Sequence, residues 1–499
     1  MADNKTEKEQ RGFGRKMTMG DKVKMALYVI LILLFALWMG SWIPFIFIPF
    51  VIDLYWMHFI KWDWWKDIKN GFLRGVMSWV DAIVFAICAV WILQNFFFQN
   101  FQIPTTSLEK TMLAGDYLLV SKYHYGPRVP MTPLSLPLFQ HTISFGNTRL
   151  GKSYIENPQV NYRRMPGLEK ISRGDIVVFN YPNGDTVCTN CENPDYYQLC
   201  RAYGRDKVWS DKSLGEIVTR PVDRRENYVK RCIGLPGETL QIIDRQVMID
   251  GKPMKNPRYL QHFYLVLAKS APIPDRFWSK LGIYTHGSAD GAMSRDVFPL
   301  TGNSNIYQTL GIEPDSITGR YNPLYQVNMT VEMKEELEKS GRVEWVKEMP
   351  EQYETMPGEV YPQDVLSDWT ANNFGPLWIP KRGSSIELTD ANVKLYGRCI
   401  TTYEPNQLTG DGQGNKLVRL GKDQYELNGK EAKQFTFGYD YYWMMGDNRD
   451  NSLDSRFWGF VPEDHIVGTP LFVWFSVNKE TGDLRSDRWF KRVKTIGED

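Results

Sequence analysis

Apolar positions crowd into the first hundred residues. From Met25 to Met57 the chain carries one charge, Asp53, and from Gly75 to Phe98 one more, Asp81. About 20 apolar residues suffice to cross a bilayer, so both runs predict membrane helices. A cleaved leader would have a shorter apolar core and a small-residue exit, whereas the first run ends in Leu-Tyr-Trp-Met. Seven Lys and Arg precede the first run, and four more (Lys61, Lys66, Lys69, Arg74) separate the two. The positive-inside rule puts both flanks in the cytoplasm, so the first run must enter and return. Its turn is expected near Gly40-Ser41-Trp42-Ile43-Pro44, which leaves two arms of about 15 residues, either two short spans or a re-entrant hairpin. A single tilted span is the alternative, and it would put the four-charge segment outside.

Past Phe98 the texture is that of strands. Asp175–Phe179, Tyr228–Ile233 and Thr239–Ile243 are β-branched runs bounded by turns such as Leu235-Pro236-Gly237. Val247–Lys252 reads as the return arm of a hairpin turning at Asp250-Gly251. From about Pro253 to Lys433 strand signals thin out, and Val331–Ser340 is a charged helix stopped by Gly341. That stretch reads as an inserted lobe of mixed α/β character.

Composition adds exclusions. In 499 residues, 43% hydrophobic and 23% charged, Lys+Arg number 59 and Asp+Glu 58. Disorder is excluded, and no net field draws the chain to nucleic acid. Cys188, Cys191 and Cys200 are spaced like part of a zinc knuckle, but no fourth ligand lies nearby. Outside a membrane a disulfide is the plainest reading; free thiols and a metal remain alternatives. None of the six histidines lies in a His-Glu-x-x-His or Gly-x-Ser-x-Gly context.

Four segments carry candidate chemistry. Just beyond the second apolar run stands Ile103-Pro104-Thr105-Thr106-Ser107-Leu108, a hydroxyl-rich turn after a proline. Arg173-Gly174-Asp175-Ile176-Val177-Val178-Phe179 follows, then Tyr228-Val229-Lys230-Arg231-Cys232-Ile233-Gly234-Leu235-Pro236-Gly237-Glu238. The last is Met445-Gly446-Asp447-Asn448-Arg449-Asp450-Asn451-Ser452-Leu453-Asp454-Ser455-Arg456. In this order, after membrane spans, they resemble the boxes of type I signal peptidases across about Val76–Lys252 and Thr436–Asn478. Two departures stand out: Leu108 where Met is common, and Lys110-Thr111 where Pro-Thr is usual.

The resemblance implies a Ser/Lys endopeptidase, with Ser107 as nucleophile and Lys230 as general base. Thr105 and the Ser107 N–H would bind the oxyanion, Ser452 would orient the lysine amine, and Asp454 with Arg456 would support it. It implies N-terminal transmembrane α-helices followed by a mainly β catalytic domain of signal-peptidase-like fold. On that reading, 1–24 is a cytoplasmic tail, 25–57 the hairpin, 58–74 a cytoplasmic linker and 75–98 a transmembrane helix. The catalytic domain would occupy 99–252 and 434–499, with the large mixed α/β lobe, 253–433, inserted between them. Implied substrates are exported preproteins carrying signal peptides, cut after small residues, at a bacterial inner membrane with the catalytic domain on the periplasmic side. Contact with lipid and proximity to the secretion machinery follow; no nucleic acid, metal or organic cofactor is implied.

The chemistry is arguable from the residues alone. Serine attacks only when a base takes its proton, and lysine is a base only as free amine. At its ordinary pKa of ~10.4 about one lysine in 2,500 is free at pH 7. Burial lowers that value by several units. Strand alternation places Tyr228, Lys230 and Cys232 on one face. Two other readings compete. Ser107-Leu108-Glu109-Lys110 fits the Ser-x-x-Lys of penicillin-binding proteins, with Lys339-Ser340-Gly341 as a loose third box, and a non-catalytic anchored module is the third class. The Asp447–Asp454 run is not a calcium loop, since it lacks the glycine and the terminal glutamate such loops need.

Overall fold

The computed structural model describes residues 17–499 apart from 147, 287–294, 301–303, 317, 351–354, 356–357, 365–366, 406–413, 480 and 497–499. Most of the basic tail, 1–16, therefore lies outside the described residues.

Two helices, Met19–Met39 and Gly71–Phe96, are long and apolar enough to cross a membrane. The first is 21 residues long, not about 15, because it recruits the polar turn from Met19 and is capped by the Thr18 side chain. Gly40, at φ +58, ends it in the left-handed region. The chain then doubles back through the shorter helical arm Ile43–Met57, whose Tyr55 ring stacks on Tyr28 at 5.9 Å. Asp53, the one charge of this run, accepts hydrogen bonds from Phe59 N, Ile60 N and Trp62 Nε1, closing the turn that follows. The tip of this hairpin meets the β domain: Trp38 Nε1 donates to Pro166 O, and Arg163 donates to the carbonyls of Met39 and Gly40. Phe96, at the far end of the second helix, packs edge-on against Phe35.

The central element is an eight-stranded antiparallel sheet. In spatial order it runs Phe98–Gln102, Asp116–Ser121, Ile466–Ser476, Ile176–Asn180, Asn227–Gly234, Tyr441–Met445 and Val461–Pro462, with Lys491–Arg492 pairing Ile466–Ser476. Ile176–Asn180 is buried at every position, in keeping with the continuously apolar, not alternating, run Ile176–Phe179; the buried Asn180 donates to Arg225 O.

The next strands form a smaller sheet. Thr239–Ile243 and Gln246–Ile249 are joined at Asp244-Arg245, both at positive φ (47° and 68°). This turn carries no glycine, so the sequence points only to the second one, at Asp250-Gly251, which leads into Lys252-Pro253. The fourth strand, Phe374–Trp378, comes from within 253–433.

The stretch 253–433 therefore does not pack as one body. Its first half builds a separate sheet from Val297–Pro299, Leu324–Thr330, Gln261–Ala268 and Val343–Glu348. That sheet and the helix Val331–Lys339 close over their own core of Val266, Trp278, Val327 and Leu337. The second half shares one core with strands outside it: Phe374, Leu377, Tyr396 and Tyr425 pack with Ile233, Leu240 and Trp443. A sequence that alternates poorly in short strands gives no hint of this division. The six cysteines are free thiols; Cys188, Cys191 and Cys200 pack around Tyr196, Leu199 and Val208 instead of forming the expected disulfide.

Candidate active site

Ser107 lies on a loop that leaves the edge strand at Gln102 and re-enters the sheet at Asp116. Ile103 N donates to Asp116 O and Gly115 N to Ile103 O, so the loop is pinched shut at its base. Gly115 sits at φ +92, where a Cβ would lie 2.0 Å from Val477 O; no side chain fits. Inside the loop Leu108 and Met112 are 1% and 0% exposed, anchoring it in the core beneath Ser107. Leu108 thus fills the place expected of methionine with similar bulk.

Lys230 lies mid-strand in Asn227–Gly234 and is 4% exposed. A hydrogen bond of 2.6 Å joins its Nζ to Ser107 Oγ. Burial, partly offset by Asp454 and reinforced by Arg456, brings the ammonium down to about 8. Both side chains line a cavity of about 540 Å³, walled by Ile103, Leu118, Val178 and Leu453. Among the described residues no histidine lines it. The Thr105 side chain lies on its exposed rim, and Ser107 N–H donates no hydrogen bond within the described chain.

The segment after Tyr441–Met445 wraps around the other side of the serine loop. Arg456 holds Asp454 through Nε to Oδ1 and Nη2 to Oδ2, both at 2.9 Å and almost fully buried. Burial works to raise the Asp454 carboxyl, but Arg456, Lys230 and the Gly446 N–H together keep it below its ordinary value. Asp447 takes the neighbouring strand residue Arg231 at 2.7 and 2.6 Å and Thr111 Oγ1 at 2.8 Å. Arg231, on the opposite face of the strand from Lys230, is thus tied to this segment. Asp450 accepts from Phe263 N. These carboxylates are engaged by protein donors.

Ser452 departs from the expectation. It is buried beside Ser107, yet its Oγ has no hydrogen-bond partner in the described chain and does not reach Lys230. Gly446 explains its placement: a Cβ there would lie 2.3 Å from Ser452 Oγ and 2.5 Å from Ser107 O. Gly446, Asp447, Thr111 and Arg231 are site residues whose roles sequence reasoning missed; three of the four stand inside the boxes, but their pairing crosses elements.

Lys110 bears on the rival reading. At φ +69 it turns its side chain away from Ser107, donating to Gly282 O at 2.8 Å, facing Asp296 at 3.5 Å and covering the Tyr284 ring at 4.0 Å. A Ser-x-x-Lys enzyme needs that amine at the serine. Lys339 is equally misplaced, on a helix end paired with Glu335.

The family model of signal peptidases, peptidase S26, matches residues 76–271 and 380–475, more than half of the chain. The chain belongs to that family. It is 23% identical to a signal peptidase I of Buchnera aphidicola subsp. Baizongia pistaciae over 82% of this chain and 79% of the relative. It is 22% identical to that of Haemophilus influenzae over 84% and 76%. A shorter match to the Pseudomonas aeruginosa signal peptidase I is 40% identical over 75 residues, 13% of this chain and 26% of the relative. The family match extends further than the boxes, to 271 and from 380. The matched stretch thus includes the part of 253–433 from 380 onward, with Tyr396 and Tyr425 of the shared core, but not the strand Phe374–Trp378, and it omits the separate sheet beyond its first strand.

Proposed function

We propose that this signal peptidase cleaves N-terminal signal peptides from exported preproteins by acyl transfer through Ser107, with Lys230 as the general base. The observation that carries the reading is the 2.6 Å contact between a buried lysine and a serine on a loop with an unengaged N–H. In its free-amine form Lys230 accepts the Ser107 Oγ proton as Oγ attacks the scissile carbonyl. The Ser107 N–H and the Thr105 hydroxyl, both unengaged at the cavity, meet the developing oxyanion. The ammonium then gives its proton to the leaving amine, and a water activated by the same amine releases the acyl chain. Asp454 and Arg456 set the field around the amine, and Ser452 fixes the wall behind Ser107.

The helices support a placement. The hairpin tip at Gly40 and the Phe96 end of the second helix both touch the β domain, while the basic flank 58–74 stands at the opposite ends. This supports a multi-pass anchor with basic flanks in the cytoplasm and the catalytic domain on the periplasmic side of a bacterial inner membrane, beside lipid and near the secretion machinery. Processing of a preprotein by wild type and Ser107→Ala in detergent or lipid tests the reading. Wild type should release the mature chain and Ser107→Ala should not; cleavage by Ser107→Ala would reject it.

A further inference from the structure

The separate sheet within 253–433 reaches the nucleophile through one side chain. Asn328, on strand Leu324–Thr330 and 1% exposed, donates from Nδ2 to Asn448 Oδ1 at 2.9 Å. Asn448, 0% exposed, donates in turn from its backbone N to Ser107 O at 3.1 Å and from Nδ2 to Thr106 O at 3.2 Å. Thr106 C=O and Ser107 N–H belong to the same peptide unit. In a planar trans peptide these two groups point in opposite directions. Thr106 O also accepts from Glu109 N at 2.9 Å within the loop, so the Asn448 amide, as its second donor, shares in fixing the direction of the Ser107 N–H and adds to its polarisation.

Asn448 can do this only if its amide is oriented with Nδ2 toward Thr106. Asn328 supplies that orientation, because its own Nδ2 demands an oxygen. Asn328 is itself held by Asp296, whose O accepts from Asn328 N at 2.8 Å and whose Oδ1 lies 3.5 Å from Asn328 Nδ2. Asp296 also faces Lys110, so the same carboxylate steadies the loop three residues past Ser107. The lobe is stitched to this segment further by Gln261 N to Asp447 O at 2.9 Å and Phe263 N to Asp450 Oδ2 at 2.8 Å.

We propose that Asn328 is a positioning residue for signal-peptide cleavage, acting through Asn448 to aim the Ser107 N–H at the oxyanion. The inserted sheet is thereby part of the apparatus that stabilises the transition state. This rests on the reading of Ser107 as nucleophile. Deleting an oxyanion donor outright costs about 10²–10³ in kcat; misaiming one should cost less.

Full-length Asn328→Ala in lipid should therefore cleave a preprotein with kcat down about tenfold, KM within about twofold and the alkaline acid limb of kcat/KM unmoved, as expected when only a transition-state contact is lost. Its affinity for a peptide aldehyde, which forms an oxyanion on Ser107, should fall relative to the matching peptide alcohol. Because the two residues act in series, Asn328→Ala with Asn448→Ala should cleave no more slowly than Asn448→Ala alone. Asn448→Asp, which keeps the acceptor for Asn328 and loses the donor to Thr106, should lower kcat similarly and decides the matter if Asn328→Ala does not fold. A kcat within twofold of wild type in a folded Asn328→Ala or in Asn448→Asp, or additive losses in the double variant, would overturn the proposal. Ser107→Ala in the same assay separates the failures: if it cleaves, the nucleophile itself is misassigned.

Discussion

Lys230 Nζ lies 2.6 Å from Ser107 Oγ in a pocket where the lysine is 4% and the serine 7% exposed. The contact joins the fifth strand of the central sheet to a loop off its first, more than a hundred residues earlier in the chain. Burial is what makes the pair reactive. With the ammonium at about 8, roughly one molecule in ten holds the free amine at pH 7, against one in 2,500 for an ordinary lysine.

The rate should follow that titration. The active form is deprotonated, so kcat/KM should rise with pH and level off above about 8. Lys230→Arg keeps a cation but cannot become a base in this range, and should be inactive throughout. A pH–rate profile with its acid limb near that of histidine, ~6.5, and still present in Lys230→Arg would assign the base elsewhere.

Gly446 should tolerate no side chain. The Cβ of Gly446→Ala would press on Ser107 O and Ser452 Oγ together. Forcing apart such packing costs about 1–3 kcal/mol, and here the displaced atom is the backbone of the nucleophile. A fall in kcat of at least tenfold, with a lower Tm, is expected. Ser452→Gly should not rescue it, since the clash with Ser107 O remains; full rescue would show that only the side chain matters.

Glu109 is a buried carboxylate with no hydrogen-bond partner in the described chain, two residues from Ser107. Burial raises it to about 7, despite Lys110 nearby. The folded state then holds its proton more tightly than the unfolded chain does, at ~4.3. Its contribution is intact below that value and is lost as pH rises through about 7. Glu109→Gln removes the titration, so its stability relative to wild type should improve by ~2 kcal/mol between pH 5 and 8. Denaturant unfolding at the two pH values checks this; an equal difference at both would mean Glu109 titrates normally.

Topology is testable on the exposed residues Lys66 and Glu156. In a background with the six native cysteines replaced, Glu156→Cys should react with a membrane-impermeant thiol reagent on spheroplasts. Lys66→Cys should react only after permeabilisation. Labelling of Lys66→Cys without permeabilisation would replace the hairpin with a single tilted span.

Local physics made some of this readable in the chain. Apolar run length, Lys and Arg asymmetry and the Gly40 turn dictate helices that return, because a bilayer leaves few alternatives. The two-residue period placed Lys230 on the same strand face as Cys232, and both are buried. The charged run stopped by Gly341 marked the helix, which spans Val331–Lys339; its Thr330 cap came only with the structure. What the tertiary structure decided are contacts between segments far apart in sequence. These include the meeting of Lys230 with Ser107, Asp447 shared by Arg231 and Thr111, and the return of Phe374–Trp378 to a sheet begun at Thr239. They also include the reach of Asn328 to Asn448. Lys110, one helical turn from Ser107 on paper, points away from it because a left-handed backbone sends it to Asp296. Periodicity and capping act over a few residues, so they report secondary structure. Partnerships among buried polar groups depend on which elements the core brings together, and each such group must find whichever donor or acceptor that packing leaves within about 3 Å.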